Sequence, residues 1–198
     1  MMKRFLALGL VGILVAILII NVINDQKERR ELEALQQEYA VQPADNDSAA
    51  PVESSGDVKE GNPLPAYETT TLDGEPVNLQ DYHGKKIILN FWATWCPPCM
   101  AEMPHMQEYY ENEAQEQNVE ILAVNLTSKD NGMDKIQSFT DDYGLTFPIL
   151  LDETGLLGEE FQAYTIPTTY LIDEEGIIQR KLMGPMDRDM MVDMMEDL

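Results

Sequence analysis

The chain contains the segment Asn90-Phe91-Trp92-Ala93-Thr94-Trp95-Cys96-Pro97-Pro98-Cys99, in which an apolar run leads to two cysteines separated by two prolines. Residues 86–89 before it are also mostly apolar, which is typical of a central strand buried on both faces. Proline is tolerated in the first turn of a helix, because its missing N–H has no partner within the helix there. The segment therefore predicts a buried strand followed by a helix that begins at the cysteine pair.

This helix start favours a reactive thiolate at the first cysteine. Unpaired backbone N–H groups and the helix dipole stabilise negative charge at a helix N-terminus, and the thiolate is the form of cysteine that attacks disulfides. Cys99 lies one helical turn after Cys96 on the same face, where it can resolve a mixed disulfide. The pair is therefore predicted to be a redox-active dithiol. Inert buried cysteines and half of a metal site are the alternatives.

The cysteine count argues against several other uses of the pair. The chain has 2 cysteines, whereas a disulfide-stapled scaffold needs more, and a structural zinc site needs a full set of Cys or His ligands. His83 and His105 do not have the spacing of a second ligand pair, and Met100 stands where a haem-attachment motif needs histidine. We therefore predict no metal and no bound cofactor, only the Cys96–Cys99 disulfide as the redox group.

The charge of the chain argues against nucleic acid as a partner. The formal net charge is −23, because 36 Asp and Glu residues outnumber 13 Lys and Arg residues. Binding to phosphates requires a cationic surface. The carboxylates are spread along the chain, which indicates a hydrated surface rather than an acidic tail.

An uncharged apolar run, residues 5–23, follows Lys3 and Arg4. As a helix it would be about 28 Å long, which matches a hydrocarbon core of about 30 Å. The run is longer than the apolar part of a signal peptide, and no Ala-x-Ala cleavage site follows it. We therefore predict that residues 1–24 are an uncleaved signal-anchor helix rather than a cleaved signal peptide.

The orientation of this anchor does not follow from charge alone, because basic residues lie on both sides of it. A short N-terminal tail and the dithiol chemistry favour a catalytic domain on the extracytoplasmic side of the cell membrane. Residues 25–62 are predicted to form a polar juxtamembrane helix and a flexible acidic linker, because they hold too little apolar surface to fold alone. The folded domain is predicted to span residues 63–198.

Strand and helix patterns alternate within residues 63–198, which predicts one mixed α/β domain. Asp73-Gly74 predicts an N-terminal β-hairpin, and Asp173-Glu174-Glu175-Gly176 predicts a second hairpin near the C-terminus. The helix at the dithiol is expected to continue past Glu113. The remaining patterns predict strands over 119–126 and 147–151 and helices over 134–143, 155–164 and 187–197.

These motifs resemble those of the thioredoxin fold and, more narrowly, of membrane-tethered ResA/TlpA-type thiol–disulfide oxidoreductases. The resemblance covers residues 63–198 and rests on the cysteine segment, on Pro104 five residues after Cys99, and on Thr165-Ile166-Pro167-Thr168-Thr169. It implies a thioredoxin-like α/β sandwich with a central mixed sheet, an N-terminal β-hairpin and a helix–strand insertion, preceded by one transmembrane helix.

The resemblance also implies a substrate-binding surface beside the dithiol. A cis peptide bond between Ile166 and Pro167 is expected to face the cysteines and to leave the Ile166 backbone free to pair with an extended substrate. Trp95 and Pro97 are expected to complete this surface.

Asn90 occupies the position at which classical thioredoxins carry a buried aspartate beneath the second cysteine. Glu102 is the candidate replacement, because it matches an acidic residue that ResA-type proteins carry three positions after that cysteine. A partly buried carboxylate one helical turn past Cys99 would have a raised pKa and could exchange a proton with Cys99. We therefore predict that Glu102 is catalytic together with Cys96 and Cys99. A solvated surface glutamate is the alternative.

The resemblance implies disulfide-containing protein substrates such as apocytochrome c, and a membrane thiol donor that reduces the pair again. Pro97 stands where ResA has an acidic residue, and residues between the cysteines tune the redox potential. The direction of electron transfer therefore cannot be copied from the resemblance, although we expect reduction of the substrate. Other envelope or sporulation proteins are alternative substrates.

A copper-binding carrier is an alternative from a different functional class. The chain has 12 methionines, and thioethers are suitable ligands for Cu(I). Met190, Met191, Met194 and Met195 fall on one helical stripe, but such stripes usually pack in a core. Tight Cu(I) binding without disulfide exchange would favour the carrier.

Overall fold

The computed structural model describes residues 58–198. Seven strands form one sheet in the order β2-β1-β5-β4-β3-β6-β7. Their bounds are Glu68–Thr71 (β1), Pro76–Asn78 (β2), Lys86–Trp92 (β3), Val119–Asn125 (β4), Ile149–Leu151 (β5), Thr168–Ile172 (β6) and Ile178–Met183 (β7). β3, β4 and β5 are parallel, whereas the two hairpins add antiparallel strands on either side. The predicted mixed sheet is therefore confirmed.

Within residues 58–198, four α-helices cover the two faces of this sheet. Their bounds are Pro97–Asn112 (α1), Met133–Tyr143 (α2), Leu156–Glu160 (α3) and Arg188–Glu196 (α4), and two 3-10 turns span Leu79–Tyr82 and Thr127–Lys129. Side chains of α1, α2 and α4 pack together in one core, whereas Leu157 of α3 and Leu79 pack in the core on the other face. α2 and β5 form the predicted helix–strand insertion between β4 and β6.

The central strand β3 supplies side chains to both cores. Ile87, Leu89 and Phe91 belong to one core, and Ile88 and Trp92 belong to the other. This division follows from the alternation of side chains along a strand, which explains why the run is apolar on both faces. By the same alternation, the polar Asn90 lies on the side of Ile88 and Trp92, beneath α1.

Both hairpins are confirmed, but two helices are shorter than predicted. The expectation that the first helix continues past Glu113 is wrong, because α1 ends at Asn112. The chain must reverse before β4, and Asn118 adopts a left-handed φ of 56° immediately before that strand. The helix predicted over residues 155–164 covers only Leu156–Glu160, and Gln162 has a φ of 49° just beyond it.

The described residues begin inside the segment assigned to the linker. Val58 is buried in the core that contains Leu79. The Gly61 N–H donates to the Ile178 carbonyl at 2.8 Å, and the Ile178 N–H donates to the Asn62 carbonyl at 2.9 Å. Among the described residues, Val58, Gly61 and Asn62 therefore already contact the folded domain.

The predicted anchor, residues 1–24, lies outside the described residues. Within residues 58–198, no helix is long and apolar enough to cross a membrane.

Candidate active site

The cysteine pair lies at the start of α1, as the two prolines predicted. Cys96 is the N-cap residue, and its Sγ atom accepts a hydrogen bond from the Cys99 N–H at 3.3 Å. The two cysteines form a disulfide with a Cα–Cα distance of 5.3 Å. A sulfur that accepts a backbone N–H at a helix start is in a favourable place for a thiolate once the disulfide is reduced.

The predicted substrate-binding residues surround this pair. The Ile166–Pro167 peptide bond is cis, as expected, and the Ile166 carbonyl oxygen lies 3.7 Å from Cys96 Sγ. Pro97 is exposed and Ile166 is half-buried, whereas Pro167 is buried. Trp95 is 51% exposed, so its ring is available to a partner.

Glu102 is completely buried beneath the dithiol, so the alternative of a solvated glutamate is wrong. Its Oε1 atom accepts a hydrogen bond from the Met186 N–H at 2.9 Å, and its Oε2 atom accepts one from Asn90 Nδ2 at 3.1 Å. Burial raises the pKa of Glu102 to about 7, although these two hydrogen bonds oppose the rise. A carboxyl group with this pKa can both accept and release a proton near neutral pH.

Asn90 connects Glu102 to strand β6. Its Nδ2 group also donates to Thr169 Oγ1 at 2.9 Å. Its Oδ1 atom is buried and has no hydrogen-bond partner within residues 58–198. The amide oxygen of Asn90 can therefore accept a further hydrogen bond next to the buried carboxyl group.

The segment between β7 and α4 joins Glu102 to the cis-proline loop. Met186 donates to Glu102 from its backbone, and two residues earlier the Gly184 N–H donates to the Pro167 carbonyl at 2.9 Å. Sequence reasoning missed this segment, because a backbone donor has no side-chain signature.

Sequence reasoning also missed Asp130, which follows the 3-10 turn after β4. Its carboxylate accepts hydrogen bonds from the backbone N–H and the hydroxyl of Thr94, two residues before Cys96. One signal was available in the sequence: the carboxyl ends of neighbouring parallel strands meet at one end of a sheet, so an acid shortly after β4 lies near the loop after β3.

The end of the sheet at which β3, β4 and β5 finish is called the dithiol end here, and the opposite end is called the far end. Within residues 58–198, the large apolar side chains that are exposed lie in connecting loops, at the end of β7 or in the first turn of a helix. We call this set the apolar rim: Trp95, Met100, Met133, Leu156, Tyr164, Met183 and Met190.

The remaining candidate ligands do not converge on a metal site. Within the described part of the chain, no three His, Cys, Asp or Glu side chains are grouped closely enough to hold a metal ion. His83 and His105 are exposed. Of the predicted helical stripe, Met191 and Met195 are buried in the core and Met194 is half-buried against it, whereas Met190 is exposed. Met103 and Met106 of α1 are buried in the same core.

Comparison with known proteins agrees with this geometry. The AhpC/TSA family matches residues 61–181. "Thioredoxin-like protein YneN" of Bacillus subtilis is 42% identical over 131 residues, which is 66% of this chain and 75% of that protein. "Thiol-disulfide oxidoreductase ResA" of Geobacillus thermodenitrificans is 40% identical over 129 residues, which is 65% of this chain and 72% of that protein.

A solved structure supports the same relationship. The crystal structure of StoA from Bacillus subtilis aligns with a TM-score of 0.59 at 34% sequence identity, and the alignment covers 67% of this chain and 97% of StoA. The mixed sheet, the cysteine pair at a helix start and these relatives agree with one another. The chain belongs to the AhpC/TSA family and is a thioredoxin-like thiol–disulfide oxidoreductase.

Proposed function

We propose that this oxidoreductase reduces disulfides of proteins on the extracytoplasmic side of the cell membrane, to which residues 1–24 anchor it. The observation that carries the proposal is the position of Cys96 Sγ. This atom accepts a hydrogen bond from the Cys99 N–H at 3.3 Å, and it lies 3.7 Å from the Ile166 carbonyl oxygen. The first contact favours a thiolate, and the second gives an extended substrate a backbone group beside the reacting sulfur.

The reaction is two successive thiol–disulfide exchanges. The Cys96 thiolate attacks one sulfur of the substrate disulfide, which forms a mixed disulfide and releases the other substrate sulfur as a thiolate. The Cys99 thiolate then attacks Cys96 Sγ, which forms the Cys96–Cys99 disulfide and releases the second substrate thiolate. The substrate gains two electrons, and a membrane thiol donor returns two electrons to the pair.

Glu102 is proposed to carry the proton of Cys99. Cys99 must lose a proton before it attacks, and the pKa of Glu102, raised to about 7 by burial, suits both acceptance and return of that proton. Asn90 suits both charge states of Glu102. Its amide donates to the carboxylate at 3.1 Å, and rotation of the amide would present the unpartnered Oδ1 atom to a protonated carboxyl group.

The apolar rim supports a protein rather than a small molecule as the substrate. Trp95, next to Cys96 in the chain, exposes 51% of its surface, and Met183, the β6–β7 register partner of Thr168, exposes 73%. Methionine side chains adapt to partners of different shape, which suits an unfolded polypeptide. Apocytochrome c is our first candidate, and other envelope or sporulation proteins are the alternatives.

Trapping of the mixed disulfide tests this proposal. In Cys99→Ser the second exchange cannot occur, so the substrate stays bonded to Cys96. We expect membranes of cells that produce the full chain with this change to contain adducts with extracytoplasmic proteins. Thiol reagents should release these adducts, and mass spectrometry should identify apocytochrome c or an envelope protein.

The matched control carries both Cys96→Ser and Cys99→Ser. It should form no adducts, because the attacking sulfur is absent. If Cys99→Ser captures only cytoplasmic proteins, the proposed location is wrong, and if it captures nothing beyond the control, the reductase proposal fails. Tight Cu(I) binding by a protein that exchanges no disulfide would favour a copper carrier instead.

A further inference from the structure

The carboxylate of Asp130 receives four hydrogen bonds, two of them from a single residue of the loop before the dithiol. The Thr94 N–H donates to Oδ2 at 2.8 Å, and the Thr94 hydroxyl donates to Oδ1. Thr94 lies between the end of β3 and Cys96. Asp130 therefore holds both the backbone and the side chain of a residue two positions before the attacking sulfur.

The same loop is held a second time by the residue before Asp130. The indole Nε1–H of Trp95 donates to the Lys129 carbonyl at 3.0 Å. Because Trp95 is also exposed, this bond orients the ring on the surface that faces a substrate. Two consecutive residues after β4 thus hold the two consecutive residues that precede Cys96.

The network is fixed to the sheet through Asn125. Its Nδ2 group donates to Asp130 Oδ2 at 2.8 Å, and in the β3–β4 register Asn125 is the partner of Trp92. The Leu126 N–H donates to the Trp92 carbonyl at 2.9 Å. Asp130 is therefore not on a free loop but is tied to the last paired residues of the two central strands.

The donors also keep Asp130 ionised. Partial burial alone would raise the pKa of its carboxyl group, but the hydrogen bonds from Thr94, Asn125 and the Asn131 N–H hold the pKa below its usual value. The carboxylate form, which only accepts hydrogen bonds, is the form that these four donors require.

We propose that Asp130 is a positioning residue for the dithiol: by holding Thr94, next to the Lys129–Trp95 bond, it fixes the loop from which Cys96 attacks. This inference rests on the proposed function, because it concerns the same reaction. Catalysis depends steeply on the placement of the reacting atoms, and a misplacement of about 1 Å can reduce a rate by about 100-fold. Asp130 itself touches neither cysteine in this scheme and acts through the loop.

The test compares Asp130→Asn with Asp173→Asn. Asp173 is likewise a carboxylate that accepts a backbone N–H in a turn, that of Ile177 at 2.8 Å, but it is buried in the β6–β7 turn at the far end of the sheet. We expect the reduced Asp130→Asn protein to react with a peptide disulfide about tenfold more slowly than the unchanged chain, because an amide cannot accept all four bonds. Asp173→Asn should react at the unchanged rate.

Changes at Thr94 separate positioning from general stability. Thr94→Val removes the hydroxyl donor and should slow the reaction, and Thr94→Ser should restore most of the lost rate. When Thr94→Val is added to Asp130→Asn, the rate should fall little below that of Asp130→Asn alone, because both changes break the same contact. In ¹H–¹⁵N spectra, the Trp95 indole N–H should exchange with solvent faster in Asp130→Asn and not in Asp173→Asn.

Each outcome has a distinct meaning. Unchanged kinetics in Asp130→Asn, or an equal loss in Asp173→Asn, would overturn the positioning role while leaving the reductase function intact. An unchanged chain that fails to react with the peptide disulfide would overturn the proposed function and this inference with it.

Discussion

At the far end of the sheet, tight turns join the strands of the two hairpins, whereas at the dithiol end longer loops and helix starts carry the cysteine pair and exposed apolar side chains. The far end contains the Asp73-Gly74 turn and the Asp173–Gly176 turn, in which acidic and glycine residues satisfy the local backbone. The dithiol end contains the cysteine pair with the buried Glu102 and the unpartnered Asn90 Oδ1 beneath it, and the exposed Trp95 beside it. The residues at the far end stabilise the fold, whereas those at the dithiol end lower its stability but are needed for the reaction.

The largest expected effect is at the attacking sulfur. Cys96→Ser should lower the rate of reduction of a protein disulfide to that of the uncatalysed reaction, because a hydroxyl group is not ionised near neutral pH and does not attack disulfides. Stopped-flow measurement with a fluorescent peptide disulfide checks this. Cys99→Ser, the matched change, should retain the first exchange and accumulate the mixed disulfide. Equal loss in both variants would mean that the roles of the two cysteines are not distinct.

The next largest effect concerns the pH dependence of stability. Burial raises the pKa of Glu102 from 4.5 to about 7. Between these values the folded protein keeps a proton that the unfolded chain has lost, so the free energy of unfolding falls as the pH rises through this range. The fall corresponds to about 3 kcal/mol. Because the side chain of Glu102→Gln does not ionise, the variant should lack this fall.

Urea unfolding of the oxidised proteins at pH 5 and pH 8 measures the difference. The control is Glu159→Gln, at an exposed position on α3, which should follow the unchanged chain at both pH values. If Glu102→Gln and the unchanged chain lose the same stability between pH 5 and pH 8, Glu102 does not titrate as the buried group described here.

A smaller effect is expected at the apolar rim. Trp95→Ala should raise the KM for a protein disulfide about tenfold, because an exposed aromatic side chain at a docking surface contributes about 1–2 kcal/mol to binding. The rate with a small disulfide reagent should change less, because Asp130 still holds Thr94 when the Trp95 indole is removed. A KM that rises equally for the small reagent would show that Trp95 acts on the dithiol and not on the docking of the protein.

The smallest effect on the reaction is expected at the far end. Gly74 has a φ of 86°, a left-handed conformation, and open space where a side chain would lie. Gly74→Ala should therefore cost about 1 kcal/mol of stability through backbone strain alone. Thermal unfolding should show this loss, and the rate of disulfide reduction should not change. A slower reaction in Gly74→Ala would contradict the separation of the two ends.

The same contrast explains what could be predicted from the sequence. The Asp73-Gly74 turn, the buried strand β3 and the helix start at Cys96 depend on neighbouring residues, so local patterns were sufficient to predict them. The burial of Glu102 could be predicted only through a family resemblance. Its partner Met186 is 84 positions away and donates from the backbone, so no local pattern indicates the contact.

Helix ends and the Asp130 network show where local patterns failed. α1 ends at Asn112 because of the reversal that β4 imposes, which depends on the tertiary structure. Asp130 and Thr94 are 36 positions apart and meet only because β3 and β4 are adjacent and parallel. An acidic residue in a chain with 36 of them does not stand out until this adjacency is known.

The most direct test of the account is the reaction of the reduced protein with one equivalent of a peptide disulfide, followed by mass spectrometry of both products. We expect the peptide to gain two hydrogens and the protein to lose two, with the new disulfide mapped to Cys96 and Cys99. A protein that keeps both thiols, or that ends as a stable adduct with the peptide, would contradict a dithiol that cycles at the start of α1.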